Sequence, residues 1–178
     1  MDGYIWMPMS EEAVGRLSPI MEKAYPHLPD ETTSFYQKRA LYPEGCFILV
    51  PEAEPEHILG YVIAHPWRLN DIPPLNSIIE VLPGGCDVMY LHDIALIAEA
   101  QGIGAARAVL TKLDALAGRD GYSQIAITAI PQAVDYWHKR GFEEVHVPQL
   151  DEKLMEYGIG SKYMLHKVIT TAEPEVAR

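Results

Sequence analysis

The chain has 178 residues, 48% of them hydrophobic and 22% charged, with a net charge of −11 at pH 7. That length suffices for one sizeable core, and the acidity disfavours a nucleic-acid partner, whose phosphates are held by clustered Lys and Arg. No apolar run approaches the ~20 residues that cross a bilayer, and MDGYIWMPMSEE lacks the basic and apolar regions of a secretory leader, so a cytoplasmic protein without membrane contact is expected.

Cys46 and Cys86 lack metal-ligand or C-x-x-C spacing, which predicts reduced thiols and no metal site. Tyr4–Met7 suits a first strand. Ser10 is placed to cap a helix with Glu11 and Glu12 in its positively polarised first turn, and Val14, Leu17, Ile20, Met21 and Ala24 continue at helical spacing. Pro26 and Pro29 bracket the loop that ends it, and Asp30 can cap a second helix from Glu31 to about Leu41. Cys46–Val50 and Ile58–Ala64 read as the strands of a hairpin turning through PEAEPEH. The stretch from His65 to Gly85, with Pro66, Pro73, Pro74 and Pro83, shows little periodicity, and connections of that length are often functional. A short helix around Leu75 to Val81 fits within it.

Tyr90–Leu96 predicts a buried strand, Gln101–Gly104 a glycine-containing turn, and the residues after it a long amphipathic helix. Ile103, Ala106, Leu110, Leu113, Leu116 and Ala117 form its apolar stripe and Gly118 its end. Ser123–Ala129 predicts a further strand and Gln132–Arg140 a helix stopped by Gly141. Val145–Val147 and Tyr163–Val168 are candidates for a closing hairpin. One domain is expected over residues 1–170, with a disordered tail over 171–178. Strands and helices alternate around a mixed sheet, giving one α/β domain.

The junction between the Tyr90–Leu96 strand and the helix can hold a phosphate, because a helix start leaves backbone N–H groups unpaired in a positive potential and glycines let a ligand approach. A dinucleotide-binding G-x-G-x-x-G fails there at its third glycine, where Arg107 stands. Gln101-x-x-Gly104-x-Ala106 resembles the Q/R-x-x-G-x-G/A signature of the GNAT N-acetyltransferases. Leu91-His92-Asp93-Ile94-Ala95-Leu96 is similar to the family's fourth strand, and Ala133-Val134-Asp135-Tyr136-Trp137 through Gly141-Phe142 is similar to its A-x-x-F-Y-x-x-x-G-F segment. The resemblance implies one GNAT-type domain with a mixed, mostly antiparallel sheet flanked by helices. It also implies acetyl-CoA as co-substrate and direct acetyl transfer to an amine of a small molecule or peptide. Family members are often dimers, so a homodimer is part of the expectation.

The same resemblance assigns the cofactor to Ile94, Leu96, Gln101, Gly102, Ile103, Gly104, Ala105, Ala106 and Trp137. Acetyl transfer from a thioester needs a neutral amine, a route for its proton and protonation of the departing thiolate. Strand alternation sets Tyr90, His92, Ile94 and Leu96 on one face and Asp93 and Ala95 on the other. His92 is the candidate proton acceptor, since imidazole titrates near neutral pH; a half-buried strand histidine with a satisfied ring is the other reading. Trp137 stands where many relatives carry a tyrosine that protonates the thiolate. An indole N–H is no acid near neutral pH, which leaves the adjacent Tyr136 as the catalytic hydroxyl, about 100° around the helix and so expected to turn toward the core. Tyr25, Tyr36, Trp67, Arg68, Tyr90 and Tyr157 lie in segments that border the acceptor site in relatives. The lost tyrosine also motivates an alternative, a non-catalytic acyl-CoA-binding regulatory module. A nicotinamide-binding oxidoreductase is a third, weaker reading.

Overall fold

The computed structural model describes residues 2–24, 32–75 and 77–169. Seven strands form one sheet in the order β1-β2-β3-β4-β5-β7-β6. They are β1 (Tyr4–Pro8), β2 (Cys46–Pro51), β3 (Gly60–Trp67), β4 (Val88–Leu96), β5 (Gln124–Ala129), β6 (Phe142–Glu144) and β7 (Lys162–Lys167). Every neighbouring pair is antiparallel except β4 and β5. The helices are α1 (Glu11–Val14), α2 (Ser18–Ala24), α3 (Thr32–Leu41), α4 (Ala105–Arg119), α5 (Val134–His138) and α6 (Asp151–Glu156). Among the described residues, no helix is long and apolar enough to cross a membrane.

The first helix is capped as expected, with the Ser10 hydroxyl accepting from the Ala13 N–H at 3.1 Å. It does not run on to Ala24. Gly15 is a poor helix former, and Pro19 lacks an N–H while its ring would strike the carbonyl four residues back, so the segment breaks into α1 and α2. Tyr25, the Pro26 and Pro29 loop, and the proposed Asp30 cap with Glu31 lie outside the described residues, as does the segment from 170 onward. β3 runs three residues past Ala64, because His65, Pro66 and Trp67 pair with Tyr90, Met89 and Val88. The helix expected around Leu75 to Val81 does not form among the described residues there. α4 ends at Arg119 rather than Gly118, and the positive φ that stops the chain belongs to Gly121. α5 is shorter than the expected Gln132–Arg140, while Gly141, at φ +81°, turns the chain as expected. The closing hairpin uses Phe142–Glu144 in place of Val145–Val147, and α6 was not anticipated.

The sheet is buried on both faces. α4 turns Val109, Leu110, Leu113 and Ala117 onto one of them, against Leu49, Val62, Met89 and Ile127. A fully buried leucine contributes about 1.5–3 kcal/mol, so this stripe fixes the helix on the sheet. On the other face, Val14, Leu17 and Phe35 cover Ile48, Tyr61 and Ile63, and a neighbouring cluster joins Trp67, Ile72, Tyr90 and Tyr163.

Candidate active site

β4 and β5 are hydrogen-bonded only where Met89, Tyr90 and Leu91 meet Ile125, Ala126 and Ile127. Beyond Leu91 the pairing stops while both strands continue, and a cleft of ≈ 790 Å³ opens between them. Leu91 to Ile94 form one wall and Ile127 to Ile130 the other; the start of α4 and the Trp137 side of α5 complete it.

The mouth of the cleft is the turn into α4. Gly102 and Gly104 have φ +79° and +84°, a left-handed conformation that a side chain opposes. A Cβ at either would meet nothing within 4 Å, so backbone angle and not crowding requires glycine. Gly104 is the N-cap of α4 with no side-chain cap, which leaves the first amides of this 15-residue helix without helical partners. A buried bond from Trp6 Nε1–H to the Ala105 carbonyl, 2.9 Å long, anchors the turn from below. Such an end favours an anion.

β4 bulges at its centre. Ile63 faces Asp93 but the next residue, Ala64, faces Leu91, so His92 is the extra residue. Alternation therefore slips by one. Leu91, Ile94 and Leu96 pack on the α4 side, whereas Ala95 joins Tyr61 and Ile63 on the other. The expected common face for Tyr90, His92, Ile94 and Leu96 is thus not formed; the bulge separates the first two from the last two. It also brings Asp93 into the cleft wall beside His92. The Asp93 carboxylate accepts from the Tyr61 hydroxyl at 2.7 Å.

His92 is half-buried, and its Nδ1 is enclosed with no hydrogen-bond partner among the described residues. Its ring lies 5.5 Å from that of His65 and 6.1 Å from that of Tyr90, whose hydroxyl meets Thr128 Oγ1 at 2.8 Å. Burial, then the charge of Lys38, holds the His92 imidazole well below the usual histidine range; burial chiefly lowers His65 to about 4. Both rings are neutral at pH 7. Lys38 is itself buried, with Nζ donating to Ser34 Oγ at 2.9 Å. Across the cleft, Trp137 is buried and Tyr136 is not: the indole packs edge-on to Phe142 at 5.1 Å, and the phenol lies under the Arg140 guanidinium, 3.3 Å from its ring centre. Burial raises the Tyr136 pKa, an effect partly offset by Arg140, so its hydroxyl keeps its proton at neutral pH.

The model of the acetyltransferase (GNAT) family matches residues 11–142. The chain belongs to the GNAT acetyltransferase family. No curated protein matches it. Among solved structures this GNAT chain is similar to the loading GNATL domain of CurA from Lyngbya majuscula, at TM-score 0.74 and 14% identity over 93% of this chain and 98% of that one. It is also similar to Arabidopsis thaliana Naa50 in complex with the bisubstrate analogue CoA-Ac-MVNAL, at TM-score 0.65 and 11% identity over 92% and 97%. A third is Rv2747 from Mycobacterium tuberculosis in complex with CoA and NLQ, at TM-score 0.66 and 11% identity over 93% and 99%. These likenesses show a shared fold: a single α/β domain with an open, mostly antiparallel sheet flanked by helices.

Of the residues singled out in sequence, the GNAT cleft gathers His92, Ile94, Leu96, Gln101, Gly102, Gly104, Ala105, Ala106, Tyr136 and Trp137. Ile103 is not among its lining residues; it packs into the core beneath α4. Tyr136 departs from its expected turn toward the core, since Trp137 takes that position. Tyr90 and Trp67 are buried beyond the cleft on the opposite face of the sheet, and the Tyr157 hydroxyl points to the Pro73 carbonyl at 3.4 Å in the same cluster. Tyr36 packs between α3 and α1, its hydroxyl close to Gly15, and the exposed Arg68 donates from Nε to the Gly84 carbonyl at 3.1 Å. Sequence reasoning missed Asp93, Thr128, Arg107 and Arg140 as lining residues. The apolar positions Met89, Leu91, Ile94 and Leu96 carry the signal for Asp93, because their spacing slips by one across the adjacent polar pair His92-Asp93.

Proposed function

We propose that the chain is an acetyl-CoA-dependent N-acetyltransferase that passes the acetyl group directly to an amine of a small molecule or peptide in the cytoplasm. The observation that carries this reading is the cleft between β4 and β5 ending on the uncapped start of α4. The amides from Gln101 to Ala106 meet the pyrophosphate there, and the pantetheine arm enters along Ile94 and Leu96 with Trp137 as the opposite wall. Two solved structures of this fold are complexes with CoA or a CoA analogue, which supports the same reading. The neutral amine nitrogen attacks the thioester carbonyl, the C–N bond forms and the C–S bond breaks. His92 takes the amine proton, and the thiolate is protonated from Tyr136 or solvent; a thiol of pKa ~8.5 leaves readily enough that neither source need be strong. The acceptor approaches from the face of the sheet away from α4, on which Tyr36, Trp67, Tyr90 and Tyr157 pack. Free thiols at Cys46 and Cys86 agree with a reducing compartment.

One observation favours a second reading. The buried aromatic on the α5 wall of the cleft is the Trp137 indole, which cannot protonate a thiolate, as suits an acyl-CoA-binding module without turnover. Free-thiol release from acetyl-CoA over a panel of aralkylamines, polyamines, amino acids and peptides, with CoA binding measured alongside, separates the two. Release with one amine class is the expected result. Tight CoA binding with no release over the whole panel would leave the binding module.

A further inference from the structure

His65 and His92 stand on neighbouring strands, on the face of the sheet away from α4, with ring centres 5.5 Å apart and planes inclined by 37°. His65 is 1% exposed, and its Nδ1 lies 3.0 Å from the Pro66 carbonyl. A carbonyl only accepts, so Nδ1 carries the ring hydrogen and Nε2 presents a bare lone pair. That Nε2 is buried and has no hydrogen-bond partner among the described residues; the same holds for His92 Nδ1. An unsatisfied buried polar atom costs about 1–3 kcal/mol, so two of them on adjacent rings point to a shared partner. No direct bond joins the two nitrogens. At this ring separation, one water with bonds of ~2.8 Å to each can link them.

We propose that His65 is a positioning residue for His92: one buried water accepts the hydrogen of His92 Nδ1–H and donates to His65 Nε2, which turns the bare Nε2 of His92 toward the cleft. The inference rests on the reading of His92 as the proton acceptor. With Nδ1 enclosed, Nε2 is the nitrogen that meets the incoming amine, and it can accept a proton only if the hydrogen resides on Nδ1. His65 is suited to this because its own tautomer is locked by Pro66. It can receive a hydrogen at Nε2 but not offer one, so the bridge runs in one direction. Burial, with a smaller contribution from the charge of Lys38 on α3, keeps both rings neutral and so able to play these roles.

The test is the tautomer of His92 in ¹⁵N-histidine-labelled protein at pH 7.5, read from ring ¹⁵N shifts with the His92 signals assigned by their loss in His92→Gln. The Nδ1–H form is expected in the unmodified protein. His65→Gln, whose side-chain carbonyl can accept near the same place, should retain it, and His65→Leu should revert to the Nε2–H form that an unconstrained histidine prefers. An Nε2–H His92 in the unmodified protein, or no change in His65→Leu, overturns the proposal whether or not any amine is acetylated. With an amine that supports thiol release, His65→Leu should lower kcat roughly tenfold or more at unchanged KM for acetyl-CoA, and His65→Gln should recover most of it. Equal kcat in all three proteins also overturns it. If no amine supports release while His92 is Nδ1–H, the positioning role stands and the N-acetyltransferase reading is what has failed.

Discussion

Gly104 holds the angle on which the proposed anion site depends, at φ +84° with open space where a side chain would go. Gly104→Glu combines backbone strain with a negative charge at the positive end of α4, so CoA binding should be abolished in a folded protein. Calorimetric titration checks this, and an unchanged Kd would remove the turn from the site. Tyr136 offers a cleaner probe of chemistry than Trp137, because Tyr136→Phe removes one hydroxyl and leaves the ring beneath Arg140. The expected outcome is a fall in kcat with an unaltered Kd for CoA; an undiminished kcat assigns thiolate protonation to solvent. At this scale the sequence was informative where backbone chemistry decides the residue, as at Gly102 and Gly104. It was poor where packing decides, as in the choice between Tyr136 and Trp137 for the core. Two neighbouring aromatics on one short helix carry no mark of which is enclosed.

At the scale of elements, α4 is fastened at both ends. Trp6 binds the Ala105 carbonyl, while Arg119 pairs with Glu44 at 2.9 Å and Tyr42 donates to the Asp120 carboxylate. The Arg119–Glu44 pair is largely exposed and contributes little. The buried bond at the N-terminal end matters more. Trp6→Phe removes one of two donors to the Ala105 carbonyl, which keeps its helical partner at the first residue of α4. Chemical denaturation should then show a loss of about 0.5–1.5 kcal/mol for that bond, accompanied by weaker CoA affinity, because the same carbonyl belongs to the proposed anion turn. A loss of stability without a change in affinity would confine Trp6 to packing. Periodicity made most elements readable, α4 and β4 above all, whereas local breaks were missed. Pro19 stands in plain sight in the sequence and suffices to split the first helix once its clash with the fourth residue back is considered. The bulge at His92 was harder, because alternation is the default for a strand and only a slip in phase reveals the extra residue.

For the whole molecule, buried ionisable groups set the response to acid. A base whose folded pKa is depressed binds fewer protons folded than unfolded, so its contribution to stability is complete above the ordinary value of 6.5 and declines as the pH falls toward about 4. For His65 the full loss is of order 3 kcal/mol, and His92 acts in the same direction. Melting temperature should therefore drop between pH 7.5 and 4.5, and drop less in His65→Gln; identical pH slopes would contradict neutral burial of His65. A second buried contact joins α4 to β7, with His166 Nε2 3.1 Å from Asp114 Oδ1. Asp114→Ala leaves a buried ring nitrogen of His166 without its partner and should cost about 1–3 kcal/mol in denaturant titration. Neither residue stood out in the sequence, since they lie 52 positions apart and no local pattern encodes their partnership. The order of strands and helices was legible by contrast, because each element buries a face whose period is written in its own residues.

The meeting of β4 with β5 has a mechanical meaning as well. Two blocks, β1 to β4 and β5 to β7, are joined within the sheet along a seam where Met89, Tyr90 and Leu91 face Ile125, Ala126 and Ile127. The space that admits a ligand is the space where backbone bonding between the blocks was given up. A molecule seated there touches both walls and acts as mortar. Ligand present at 100 times its Kd adds about 2.7 kcal/mol to global stability. If the blocks part at the seam, amide exchange at Leu91 and Ile127 should slow on ligation far more than exchange in β1 and β2. Uniform slowing across the sheet would show that the two blocks open only together, as one cooperative unit.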